Sequence, residues 1–227
     1  MKYFVIALSF YLFSEAVIAQ PAATILTGKK TDSIFTAAIK KQLNIQYPIF
    51  RVYSYTNKND LYYTLLTESR DSIGKKKDTF SFKIKTVTVV HKKTGLQMVW
   101  DAVDAVNKKK GEQAIWFWSR YSSIADVTGD GIADPVIVYG TSGQNHFEDG
   151  RVVIVTYYSN RKIFIRHQNG TLDNERRLTV DQEFYTLPAT LQAAVIAAMK
   201  DMSKRMQALY PVNWENAMKA KKTVIKN

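Results

Sequence analysis

From residue 50 to residue 168 the chain is cut into short segments of alternating apolar and polar side chains, joined by brief polar turns. A period of two is that of a pleated strand, and a turn of a few residues returns the chain antiparallel to the strand it has just left. Residues 50–56 and 61–68 flank Asn57-Lys58-Asn59-Asp60, residues 80–91 and 96–103 flank Lys92-Lys93-Thr94-Gly95, and residues 151–157 and 162–168 flank Ser159-Asn160. Each pair reads as a hairpin. Residues 115–119 are apolar on both faces, Ile115 and Phe117 against Trp116 and Trp118, which predicts a central strand covered on both sides. The 13 tyrosines and 11 phenylalanines suit such pleated surfaces.

Helical spacing appears only towards the ends. Ile34, Phe35, Ala38, Ile39 and Leu43 predict a helix over residues 31–43, capped by Thr31 or Asp32. Pro188 opens a second helix to about residue 209, with Leu191, Val195, Ala198, Met202, Met206 and Leu209 as its apolar stripe. Pro211 stops it, Trp214 is expected to dock back, and the lysine-rich residues 216–227 are expected to fray as a basic tail. The expected fold is α+β: a mostly antiparallel twisted sheet with an N-terminal helix and a packed C-terminal helix, in a single domain over residues 31–215.

Residues 1–19 have the grammar of a secretory signal: Lys2, an apolar run over residues 3–13, and Val17-Ile18-Ala19 before Gln20-Pro21. Cleavage after Ala19 and a linker over residues 20–30 are expected, which places the chain in the periplasm, in the outer envelope or outside the cell. No other segment is long and apolar enough to span a bilayer. The absence of cysteine excludes disulfides, thiolate metal sites and a cysteine nucleophile. After cleavage 31 basic and 19 acidic residues remain, a net charge of +12, so anionic glycan or glycolipid is the expected partner class, and export argues against nucleic acid.

The most specific motif is Asp126-Val-Thr-Gly-Asp-Gly-Ile-Ala-Asp134. Side-chain oxygens of Asp126, Thr128, Asp130 and Asp134 fall at loop positions one, three, five and nine, with Gly131 at six and the carbonyl of Ile132 at seven. Hard cations want six to eight oxygens, and this spacing wraps one loop around a single Ca²⁺. Position twelve is Ile137 instead of the bidentate Glu of an EF-hand, so the expected ion is weakly held and its role is to rigidify a strand connection. His146, Glu148 and Asp149 follow in the polar loop 140–150 and are the acid/base candidates, expected to share one end of the sheet with the cation loop. Arg166, His167, Arg176 and Arg177 form a third candidate group, for phosphate or sugar hydroxyls. Trp100, Trp116 and Trp118 suit either a sugar-stacking platform or the core, and strand spacing favours the core. A phosphate loop, a G-x-S-x-G elbow and an H-E-x-x-H pair are all missing.

The cation loop resembles the strand-loop-strand calcium loops of FG-GAP and VCBS repeats. Together with Val52-Tyr53-Ser54-Tyr55, Trp116-Phe117-Trp118, Ile165-Arg-His-Gln-Asn-Gly170 and Phe184-Tyr-Thr-Leu-Pro188, it makes most of the chain resemble small exported proteins of Bacteroidota that carry a surface-polysaccharide biosynthesis label. The resemblance implies an envelope role touching lipopolysaccharide or capsule, and no catalytic residues. A calcium-stabilised, non-enzymatic glycan module is therefore the leading expectation. A glycan-acting hydrolase or transferase and a periplasmic interaction protein are the alternatives.

Overall fold

The structure, a computed structural model, describes residues 23–74, 79–146 and 148–227. The expected leader, the Lys75-Lys76-Lys77 cluster and Phe147 lie outside the described residues. Strand β1 (Thr24–Ile25), helices α1 (Gly28–Ile34) and α2 (Ala37–Gln42), and the hairpin β2 (Ile49–Asn57) to β3 (Asp60–Glu68) come first. A short ladder of β4 (Ser72–Ile73) with β5 (Thr79–Phe80) leads to a second hairpin, β6 (Lys83–Lys92) to β7 (Gly95–Ala105). β3 also pairs with β6, so the first sheet runs β1-β2-β3-β6-β7. The second sheet contains β8 (Ala114–Phe117), β9 (Ser123–Ala125), β10 (Asp134–Ser142), β11 (Arg151–Tyr158), β12 (Arg161–Gln168), β13 (Arg177–Val180) and β14 (Val224–Lys226). Its order is β14-β13-β12-β11-β10-β8, with β9 also beside β10. Helices α3 (Ala189–Lys204) and α4 (Trp214–Lys219) complete an α+β fold whose strand pairs are antiparallel.

Strand alternation sorts the apolar residues into three cores. On β10, Ile137 and Tyr139 pack towards the first sheet, while Val136 and Val138 pack with Leu191, Val195 and Met199 of α3. On β3, Leu66 belongs to the inter-sheet core, while Tyr63 and Leu65 join Phe35 and Leu43 from the ends of α1 and α2. The layers are therefore helices, sheet, sheet, helices, where the sequence predicted one sheet. Burying a side chain such as Leu66 or Ile137, at 0% exposure, contributes about 1.5–3 kcal/mol.

Local chemistry explains where the elements depart from the sequence reading. The helix expected over residues 31–43 is two helices, because Phe35 turns into the core and Thr36 caps a new start, its Oγ1 accepting from Ile39 N–H at 3.4 Å. α3 ends five residues early. Met206 takes a left-handed backbone (φ 58°), and Gln207 N–H donates back to Met202 O, which closes the helix and leaves Met206 70% exposed instead of in the apolar stripe. The end expected to fray is instead held: Trp214 docks as expected, Met218 and Ile225 are buried, and Ile225 pairs with Leu178.

Strand β8 lies at an edge, not in the middle of a sheet, yet both its faces are covered. Its outward N–H groups are taken by the other sheet's segment: Ile115 N–H donates to Ser81 O (2.8 Å) and Phe117 N–H to Glu68 Oε1 (3.0 Å). Nearby, Arg151 of β11 reaches across the sandwich. Its guanidinium donates to both carboxylate oxygens of Asp104 (2.6 and 2.8 Å), to Glu112 Oε1 (2.7 Å) and to Ala105 O (2.8 Å). Burial pushes the Asp104 carboxyl up, but the hydrogen bonds and charge of Arg151 more than offset this and hold it below its ordinary range.

Replacing Arg151 by Met leaves the Glu112 side chain, only 2% exposed, facing Asp104 with no cation between them. The expected loss is about 2–4 kcal/mol, measured by urea denaturation, against a change within about 0.5 kcal/mol if the clamp were a solvated surface pair.

Candidate functional site

The 126–134 loop leaves β9 and enters β10, and its carboxylates fold it by collecting backbone N–H groups. Asp126 Oδ1 accepts from Gly129 N–H (2.7 Å) and Asp130 N–H (3.2 Å), and its Oδ2 from Gly131 N–H (2.9 Å). Gly129 and Gly131 have φ of 76° and 79°, which lets successive amides point inward. Asp134, 2% exposed, accepts at Oδ2 from the N–H groups of Val127 and Thr128 and from Thr128 Oγ1. Burial raises its carboxyl, the hydrogen bonds from Thr128 and Val127 pull it back, and the net shift is upward. Asp130 Oδ1 accepts from Ile132 N–H at 2.8 Å. The donor set is all oxygen, as a hard cation requires. Among the described residues, however, no three acidic or imidazole side chains are gathered closely enough to hold a metal ion.

The loop is also tied to the first sheet. Asn57, at the β2–β3 turn, accepts at Oδ1 from Ala133 N–H (2.7 Å), and Lys58 N–H donates to Gly131 O (3.2 Å). Beside this tie the two sheets part into a cleft of about 310 Å³. Tyr62 and Trp100 line it from the first sheet, Tyr157 and Tyr158 from the second, and Ile132 from the loop. Two aromatic pairs wall the space. Trp100 stacks on Tyr157 (centroids 5.2 Å apart, planes at 11°) and Tyr55 on Tyr62 (5.7 Å, 18°). The floor is a chain of hydroxyls: Tyr55 OH lies 3.1 Å from Thr64 Oγ1, which lies 2.7 Å from Thr88 Oγ1. Burial pushes the Tyr55 phenol up to about 12, so it is a hydrogen-bonding group and not a proton shuttle at neutral pH.

The polar loop after β10 is elsewhere. β10 is nine residues long, roughly 26 Å at about 3.3 Å per residue, so His146, Glu148 and Asp149 sit at the opposite end of that strand from Asp134. The expectation that the two loops share an end is corrected by the length of the strand between them. His146 and Glu148 are exposed, His146 with φ 58°, while Asp149 Oδ2 accepts from Asn145 N–H at 3.0 Å.

The arginine group does not converge either, because adjacent residues of a strand point to opposite faces. Arg166 is exposed, paired with Asp181 (3.0 Å) and stacked 4.2 Å over Phe164. His167 points the other way into the α3 core at 2% exposure, with Nε2 2.7 Å from Asn169 Oδ1 and Nδ1 3.2 Å from Arg177 O. That burial removes it from any ligand-binding role at the surface. Arg176 is spent on Gly170 O (3.0 Å) and Asp173 (2.5 Å), and the Arg177 side chain is exposed. Nor do the tryptophans share a platform: Trp118 packs in the α3 core with Trp116 against it, and Trp100 lines the cleft.

No family model, curated protein or solved structure matches the chain. No helix among the described residues is long and apolar enough to cross a membrane. The cleft is the site that sequence reasoning missed. Its advance signals were separate ones, the tyrosines of residues 53–62, Trp100 and the 126–134 motif, and nothing local joined them to Tyr157 and Tyr158, almost a hundred positions beyond the first.

Burial pushes the His167 imidazole down from 6.5 to about 4, against hydrogen bonds to Asn169 and Arg177 that pull upward. Below pH 6.5 the unfolded chain therefore takes up a proton that the native chain refuses until about pH 4. Stability is expected to fall as pH drops through that window. Asp104, held low by Arg151, adds a loss of its own, whereas Asp134 and Glu68, raised by burial, oppose it, so the His167 part is read as the difference from a His167→Gln variant. Parallel urea midpoints for the two proteins between pH 7 and pH 4 would contradict it.

Proposed function

We propose that the chain is an exported, non-enzymatic cell-envelope module that binds surface polysaccharide, with Ca²⁺ stabilising the 126–134 loop. The observation that carries this reading is the inter-sheet cleft: an aromatic-walled space, open beside the most specific motif in the sequence, whose two lining carboxylates, Asp130 and Asp134, are engaged by backbone N–H groups of their own loop. The basic surface supports the same assignment. A net charge of +12 draws the molecule to the phosphates and acidic sugars of an envelope glycan, and most of that charge sits on exposed lysines outside the cleft. The reading also accounts for the separation of His146, Glu148 and Asp149 from the cleft, which disfavours a glycan-cleaving role for them. Calcium, on this reading, tightens a loop that already folds through its own hydrogen bonds, at millimolar affinity as in extracellular modules.

Immobilised lipopolysaccharide and capsular polysaccharide test the proposal directly. Binding is expected at low salt and is expected to weaken about tenfold or more between about 50 and 500 mM NaCl, as surface charge is screened. It is also expected to survive the triple replacement His146→Ala, Glu148→Ala, Asp149→Ala. Absence of binding to either glycan defeats the reading. Millimolar Ca²⁺ is expected to raise the melting temperature of the wild-type chain and not of Asp126→Ala; an unchanged wild-type curve removes calcium from it.

A further inference from the structure

The cleft and the rest of the surface differ in charge. Lysine and arginine outnumber acidic residues by twelve over the chain, yet the residues lining the cleft include two carboxylates, Asp130 and Asp134, and no lysine or arginine. A phosphate or a uronate placed there would lose water and meet two carboxylates with no lysine or arginine in the lining to replace the lost solvation, and a Ca²⁺ held by the loop would be engaged by those same carboxylates. The groups that are present suit a different ligand. Tyr62 and Tyr157, half-buried in the lining, each have one ring face covered by Tyr55 or Trp100, and the other suits the C–H face of a sugar ring. Around them stand groups that both donate and accept: the hydroxyls of Thr88 and Ser159 and the amides of Asn57 and Asn160.

Those polar groups are held in place by their neighbours. Asn160 Oδ1 accepts from Tyr157 OH at 3.2 Å, and Asn57 is fixed by Ala133 N–H. The Thr88 hydroxyl closes the buried chain with Thr64 and Tyr55. A pocket whose polar atoms are already oriented loses little entropy when it binds. Its volume, about 310 Å³, lies at the small end of ligand pockets and suits a mono- or disaccharide unit better than a long chain segment.

We propose that the inter-sheet cleft is a subsite for an uncharged pyranose unit, stacked against Tyr62 and Tyr157 and hydrogen-bonded by Asn57, Asn160 and Ser159. The assignment rests on the glycan-binding reading and divides it into two parts. The basic exterior attracts an acidic envelope polymer, and the cleft reads a neutral sugar within it.

The full chain is titrated with neutral glucose, galactose and mannose oligomers, with oligogalacturonate as the acidic counterpart and choline as a compact cation, following tryptophan emission and calorimetric heat. At least one neutral oligomer is expected to bind, with an affinity that changes less than about twofold across the salt range that weakens lipopolysaccharide binding about tenfold. Tyr62→Ala and Tyr157→Ala are expected to weaken that binding at least tenfold. Lys108→Ala with Lys109→Ala, on exposed lysines outside the cleft, is expected to leave it unchanged. Val99, 37% exposed on the cleft wall, supplies a variant that keeps the core intact: Val99→Trp fills the space and is expected to block the oligomer. The proposal is overturned if no neutral oligomer binds, if only oligogalacturonate or choline binds, or if Val99→Trp and the tyrosine variants bind as the wild type does. Lipopolysaccharide binding that persists while neutral oligomers fail would overturn the subsite and leave the broader glycan reading standing.

Discussion

The architecture depends on how one sheet is fastened to the other. Two pleated sheets packed face to face are held by apolar contact alone unless polar groups cross between them, and apolar contact does not fix their relative position. Here the ionic crossing groups among the described residues gather at one end. The free edge of β8 gives its N–H groups to Ser81 and Glu68, and Arg151 brings four hydrogen bonds to Asp104, Glu112 and Ala105. With that end clamped, the other end is joined by single hydrogen bonds: Ala133 N–H to Asn57 Oδ1, Lys58 N–H to Gly131 O, Ala23 N–H to Ile124 O and Lys162 Nζ to Asp101 O. The cleft opens there, where the sheets are tied by single hydrogen bonds and not by a buried ion network.

That asymmetry gives the loop a structural part in shaping the cleft. Its carboxylates organise backbone amides, and the folded loop offers Ala133 N–H and Gly131 O to the β2–β3 turn. Anything that firms the loop, a bound cation included, also firms one wall of the cleft. The aromatic side chains beside it do the same from within, because Trp100 and Tyr157 belong to different sheets and stack across the gap.

Much of the fold was legible in the sequence because alternation and short turns are local signals. The hairpins β2–β3, β6–β7 and β11–β12 all form between the residues whose pattern announced them. Division into two sheets was not legible, since β8 differs from a central strand only in what its outward amides meet. Met206 and Thr36 show a second limit: a cap or a left-handed residue ends a helix whose apolar spacing continues. For the site, the Asp126 motif was visible because its groups lie within nine residues, whereas the cleft is assembled from segments near 55–62, 88–100, 130–135 and 157–160. Placing His146 near the loop failed for a simple metric reason, the length of β10.

The most direct measurement is an amide and indole NMR titration of the ¹⁵N-labelled chain with neutral and acidic glycan oligomers. The predicted result is a contiguous set of shifts at Tyr62, the Trp100 indole, residues 130–133 and Tyr157, with His146 and Arg177 unmoved. Shifts centred on residues 141–150, or spread evenly over the lysine surface with none in the cleft, would contradict a clamped sandwich whose open end is the binding site.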